Sequence, residues 1–133
     1  MKRARVVLAL SLAGLLQACL RVEHWEGTMD RCTGSNTAST PVIMLLEPAS
    51  TQANGFFGYA VNGARDTWQM GEFKNGTAGG GSLKFEAVFT EGNSTARWQV
   101  DISRPPLGNE YTGTVEIVAG STIRCDVSLT RAD

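Results

Sequence analysis

An all-β fold, a small barrel of eight antiparallel strands, is what this chain of 133 residues predicts. Three observations lead there. Apolar and polar residues alternate with period two in run after run, as in strands with one buried face. Beyond residue 18 no stretch sustains the i, i+3, i+4 spacing of an amphipathic helix, and 14 of the 15 glycines lie there. Finally, Cys32 and Cys125 stand 93 positions apart, near the two ends of the β region.

The chain opens with Lys2, Arg3 and Arg5, followed by an apolar run from Val6 to Leu16 broken only by Ser11 and Gly14. That is the build of a secretory signal peptide. The run is about half the ~20 apolar residues needed to span a bilayer. Ordinary signal cleavage wants small residues at −3 and −1, and Leu16 is wrong for −3 of a cut after Ala18. Leu16-Gln17-Ala18-Cys19 instead resembles the bacterial lipobox, in which the cysteine receives a diacylglycerol and the segment upstream is removed. The resemblance implies residues 1–18 as leader, lipidated Cys19 opening a tether over 19–23, and a domain over 24–133. It also implies three acyl chains on Cys19, and two already give stable anchoring. The expected location is the cell envelope. Leu20, where an aspartate often signals inner-membrane retention, points to the outer membrane facing the periplasm in a Gram-negative cell.

Removal of the leader leaves 115 residues, enough for one domain. The leader takes three of the 12 basic residues, so nine remain against 13 acidic ones, a formal net charge of −4. There is no basic stripe for nucleic acid. With Cys19 carrying lipid, Cys32 and Cys125 are expected to pair in an oxidising compartment. Two distant cysteines and one histidine make no tetrahedral zinc set, so neither metal nor cofactor is expected.

The strands are read in order. The first spans about His24 to Cys32, with Trp25 and Met29 apolar. Val42 to Leu46 is a continuous apolar run, buried on both sides or covered by a loop. Gly55 to Val61 carries Phe56, Phe57 and Tyr59. Thr67 to Phe73 carries Trp68, Met70 and Phe73, with a register break near Gly71 that predicts a bulge. Leu83, Phe85, Ala87 and Phe89 then alternate with polar residues, as do Trp98, Val100 and Ile102. Tyr111, Val115 and Ile117 follow, and Ile123, Cys125, Val127 and Leu129 close the series. Asn62-Gly63 marks a hairpin. Asn75-Gly76 and Gly79-Gly80-Gly81 are expected in a loop, Glu91-Gly92-Asn93 and Ala119-Gly120-Ser121 are short links, and Pro105-Pro106 ends the sixth strand. The predicted core is Trp25, Phe85, Phe89, Trp98, Val100, Val115, Ile117, Val127 and Leu129.

Eight strands with short links form a meander that can close on itself. Closure makes the first and last strands neighbours, and the disulfide would staple that seam. A two-sheet β-sandwich is the alternative that the same alternation permits.

Catalytic groups are sparse. His24 is the sole histidine and reads as a surface residue. Ser82 and Ser94 lack the flanks of a nucleophile elbow. Glu23 and Glu26, three apart on a strand, fall on opposite faces, and Asp101 and Glu116 read as solvent-facing charges. Gly79-Gly80-Gly81 has no Lys-Ser/Thr or helix after it, so it is no phosphate loop. The expectation is a non-enzymatic binding or accessory domain. Its partner surface is expected on the loops Glu91 to Arg97 and Thr33 to Thr40, and an envelope complex is one candidate partner. Inward aromatic side chains also allow a carrier of a small apolar ligand.

Two resemblances bear on this. Trp25-Glu26-Gly27 is similar, in reversed order, to the Gly-x-Trp of calycin-like barrels, where an early tryptophan plugs one end. Ser94-Thr95-Ala96-Arg97-Trp98 resembles the Ser-Gly-Ala-Arg-Tyr loop of the membrane-bound C-type lysozyme inhibitors, small periplasmic lipoproteins with an eight-stranded barrel. That likeness implies that Ser94 and Arg97 enter a lysozyme cleft and meet its carboxylates, an arginine fork suiting such a group. The basic charge of lysozyme suits an acidic domain. Thr95 and Trp98 depart from the family's glycine and tyrosine. Met29-Asp30-Arg31-Cys32 lacks its Tyr-x-Cys, and the span from Cys32 to Ser94 is longer.

Overall fold

A computed structural model describes residues 22–33, 39–47, 51–119 and 121–133. The expected leader over 1–18, Cys19, most of the expected tether, positions 34–38 of the Thr33 to Thr40 loop and Gly120 lie outside the described residues. The strands are β1 (Glu23–Asp30), β2 (Thr40–Glu47), β3 (Asn54–Ala60), β4 (Trp68–Gly79), β5 (Ser82–Glu91), β6 (Ser94–Ser103), β7 (Glu110–Ala119) and β8 (Ser121–Arg131). Each pairs antiparallel with the next, and β8 returns to β1, so the sheet is a closed barrel rather than a sandwich. Closure leaves no unpaired sheet edge.

The seam between β1 and β8 runs from Trp25 opposite Arg131 to Asp30 opposite Asp126. Beyond it, the Thr33 amide donates to the Arg124 carbonyl at 2.9 Å, and the Arg124 amide donates to the Thr33 hydroxyl at 3.0 Å. The Cys32–Cys125 disulfide sits in this extension, with Cys125 fully buried. Strand β1 stops at Asp30, two residues short of the expected end, because Arg31 turns into the left-handed region at φ 49°. Cys32 therefore lies just past the strand it staples.

The alternation places one face of every strand inside. Eight of the nine predicted core residues are buried; Ile117 is only half-buried, since it lies near the barrel rim opposite Ile123. The Val42 to Leu46 run alternates like the rest. Val42, Met44 and Leu46 point in, while Ile43 and Leu45 are half-buried on the outer wall, so the run is not buried on both sides.

Two turns differ from expectation. Asn62-Gly63 does adopt positive φ at both residues, but within a 3-10 turn of a longer link, closed by the Val61 amide on the Thr67 carbonyl at 2.9 Å. In β4 the bulge falls between Lys74 and Thr77, with Asn75 at φ 53°, while Gly71 pairs regularly with Phe57. Asn75 and Gly76 thus lie within a twelve-residue strand, not in a loop. The segment before β3 holds the far half of β4 in place: Ala53 donates to the Gly76 carbonyl, and Ala78 donates to the Thr51 carbonyl. The glycine at 71 answers a close approach instead, because a Cβ there would stand 2.9 Å from the Phe89 ring.

A disulfide closing a loop this long contributes about 4–5 kcal/mol in the chain-entropy model. Denaturant unfolding of the oxidised and reduced chain should differ by roughly that amount; equal midpoints would show that the seam holds without it.

Candidate functional site

The two ends of the barrel differ. One end gathers the start of β1, the β4–β5 hairpin, the β6–β7 connection and the end of β8. Here Trp25, fully buried, closes the interior. Its indole Nε1 donates to the Glu23 carboxylate at 3.0 Å, two residues away on the same strand face. Tyr111 meets its ring edge-on at a centroid distance of 4.7 Å. The guanidinium groups of Arg104 and Arg131 each lie 5.6 Å from the Trp25 ring centre, and Arg104 lies 5.4 Å from that of Tyr111. Such cation–π contacts contribute about 0.5–2 kcal/mol each, depending on desolvation. Arg131 also reaches Glu23 at 3.5 Å and bonds Asp133. A hollow of about 250 Å³ opens beside this plug, lined by Glu23, Leu46, Ala53, Leu83, Arg104 and Tyr111. Sequence reasoning missed Arg104, Arg131 and Glu23 here. The shared face of Glu23 and Trp25 was a usable signal; Arg131 needed the β1–β8 register.

The interior between the ends is filled by aromatic side chains. Phe73 stacks on Phe85 at 3.6 Å, and Phe57 lies 6.0 Å from Phe85 and 6.4 Å from Trp98. Tyr59 stacks on Trp98 at 4.8 Å, and Phe89 packs on the same indole at 4.6 Å.

That last group forms the floor of the opposite mouth, at the tip of β5 and β6. A hollow of about 140 Å³ lies over it, with Gln69, Glu91, Ser94 and Thr95 as its polar rim. An aromatic floor with a polar rim is the composition that favours protein contacts. The predicted Glu91 to Arg97 loop is a tight hairpin instead. Glu91 ends β5, Gly92 at φ 59° makes the two-residue turn with Asn93, and Ser94 opens β6 opposite Glu91.

Ser94 and Arg97 are therefore strand residues three apart, and they diverge. Ser94 rims the mouth. Arg97 stands on the outer wall, 3.1 Å from Glu86, whose other oxygen accepts from Gln99 at 2.7 Å. Thr33, Ser39 and Thr40, the described parts of the second predicted loop, belong to this same end.

Several other titratable groups pair on the outside. His24 lies 3.3 Å from Glu26, Lys84 lies 3.9 Å from Asp101, and Arg124 lies 2.9 Å from Glu116. Exposed pairs of this kind contribute little stability. Among the described residues no three His, Cys, Asp or Glu side chains gather as a metal set. No family model, curated protein or solved structure matches this chain.

Burial raises the Tyr111 phenol above its ordinary 10.0; Arg104 opposes the shift and Glu23 adds to it. The folded barrel thus holds this proton longer than the unfolded chain does. The stability linked to it is complete below pH 10.0 and is lost as pH rises through the raised folded value. Unfolding midpoints measured from about pH 9 to about pH 11 should fall more steeply for the wild type than for Tyr111→Phe. Parallel slopes would refute the assignment.

Proposed function

We propose that this chain is a non-enzymatic envelope lipoprotein, held by acylated Cys19, whose barrel binds a protein partner at the Tyr59–Trp98 mouth. The observation that carries the reading is the contrast between interior and mouth. The interior is filled by its own aromatic side chains, which supports a surface binder over a carrier of apolar cargo. The mouth joins half-buried Tyr59, stacked on the buried Trp98 beneath it, to a polar rim, and large rigid aromatic groups are the side chains that most often anchor protein interfaces. The formal charge of −4 on the chain after the leader favours a basic partner.

A narrower reading makes that partner a lysozyme. It draws on the exposure of Ser94 and Arg97 and on the sequence around them. It requires that Arg97 leave Glu86 for the lysozyme carboxylates.

Radiolabelled palmitate should enter the wild-type protein and not Cys19→Ala, which should leave the membrane fraction; an unlabelled wild type would remove the anchor. For the mouth, a photo-cross-linking residue at Thr95 should trap one discrete partner from envelope extract, and the same group at Thr112 on the outer wall should trap none. Equal trapping at both sites would refute the mouth. Hen lysozyme offered alone tests the narrower reading: full lysis of cells at excess domain disposes of it.

A further inference from the structure

We infer that the Trp25-plugged end of the barrel is a lipid-docking face, which lies on the bilayer with Leu107 inserted and Phe56 at its margin. This inference rests on the lipoprotein reading above. It begins from reach. From Cys19 to Glu23 is four residue steps, at most about 14 Å of extended chain. An acylated Cys19 at the membrane surface therefore holds the start of β1 against that surface, and with it the end of the barrel to which β1 belongs.

That end carries two of the three large apolar side chains exposed among the described residues. They are Leu107, fully exposed, and Phe56, 46% exposed; the third, Val118, lies toward the other end. The two flank the origin of β1. Phe56 is two strands away on one side, in an outer-wall row that runs His24, Leu45, Phe56 across β1, β2 and β3. Leu107 is on the other side, in the connection between β6 and β7.

Leu107 is not exposed by a loose loop. The Arg104 amide donates to the Gly81 carbonyl at 2.9 Å, Gly108 to Pro105 at 2.9 Å, and Arg131 to Asn109 at 3.1 Å. Pro105 and Pro106 stiffen the approach. At the tip Leu107 takes φ 61°, a left-handed conformation that is strained for a non-glycine residue. A strained backbone that presents a fully exposed leucine offers the barrel itself no packing, whereas a lipid surface would cover it. The charges at this end do not supply the attraction. Among the described residues Glu23, Glu47, Glu110 and Asp133 outnumber Arg104 and Arg131 there, so contact is apolar and needs no anionic lipid.

The test uses the full acylated protein in phosphatidylcholine vesicles, with an environment-sensitive fluorophore on Leu107→Cys or on Thr95→Cys. The probe at 107 should be quenched by a shallow spin-labelled lipid and be severalfold less accessible to aqueous iodide than the probe at 95. Equal iodide access at both positions, or protection at 95 alone, overturns the inference. Intact mass on the same sample separates the two failures. An acylated protein with an exposed 107 probe sinks only the docking face, while an unacylated protein sinks the lipoprotein reading and this inference with it.

Discussion

Everything in this domain depends on the seam between β1 and β8. A meander of eight strands has two free edges, each a row of unsatisfied amides and carbonyls, and joining them removes both. The join carries a local penalty, because Asp30 stands directly opposite Asp126 and like charges so placed repel. Arg31, 3.8 Å from Asp126, offsets part of this. The disulfide lies immediately beyond the repelling pair, continued by the two Thr33–Arg124 hydrogen bonds. The covalent link thus stands next to the one pair of like charges in the seam register.

At the far end of the same seam a different device does the closing. Trp25 and Arg131 are register partners, so closure itself delivers a guanidinium to the indole face. Arg104 arrives from the end of β6 and also contacts Tyr111. Glu23 then satisfies the indole N–H and pairs with Arg131. A buried Trp N–H without an acceptor would be costly, and one carboxylate on the same strand face removes that cost while neutralising a cation.

The outer wall is divided as well. Over β5 to β8 it is laced with Lys84–Asp101, Arg97–Glu86 and Arg124–Glu116 pairs. Over β2 and β3 it shows Ile43, Leu45 and Phe56. Strand β1 begins beside the apolar part, and the aromatic mouth opens at the opposite end. The proposed docking face and the proposed partner mouth are thereby separated by the length of the barrel, so neither would block the other.

Much of this was legible in the residue order. Period-two alternation in Leu83 to Phe89, Trp98 to Ile102 and Ile123 to Leu129 assigned inside and outside correctly, since a strand has only two faces. The bulge was misplaced at Gly71 because glycine serves two purposes, and only the Phe89 ring shows which one applies. Ser94 to Arg97 read as a loop because Gly92-Asn93 and a polar run look alike whether the turn is two residues or seven. Residue order by itself determined the all-β class and the strand count, because these follow from local periodicity, and the cysteine pair, because only two cysteines remain beside Cys19. The plug around Trp25 was decided only by closure, because the β1–β8 register brings Arg131 to Trp25 and Glu23 from more than a hundred positions away. The opposite fates of Ser94 and Arg97 were decided by the two-residue β5–β6 turn, which puts both on one strand three positions apart.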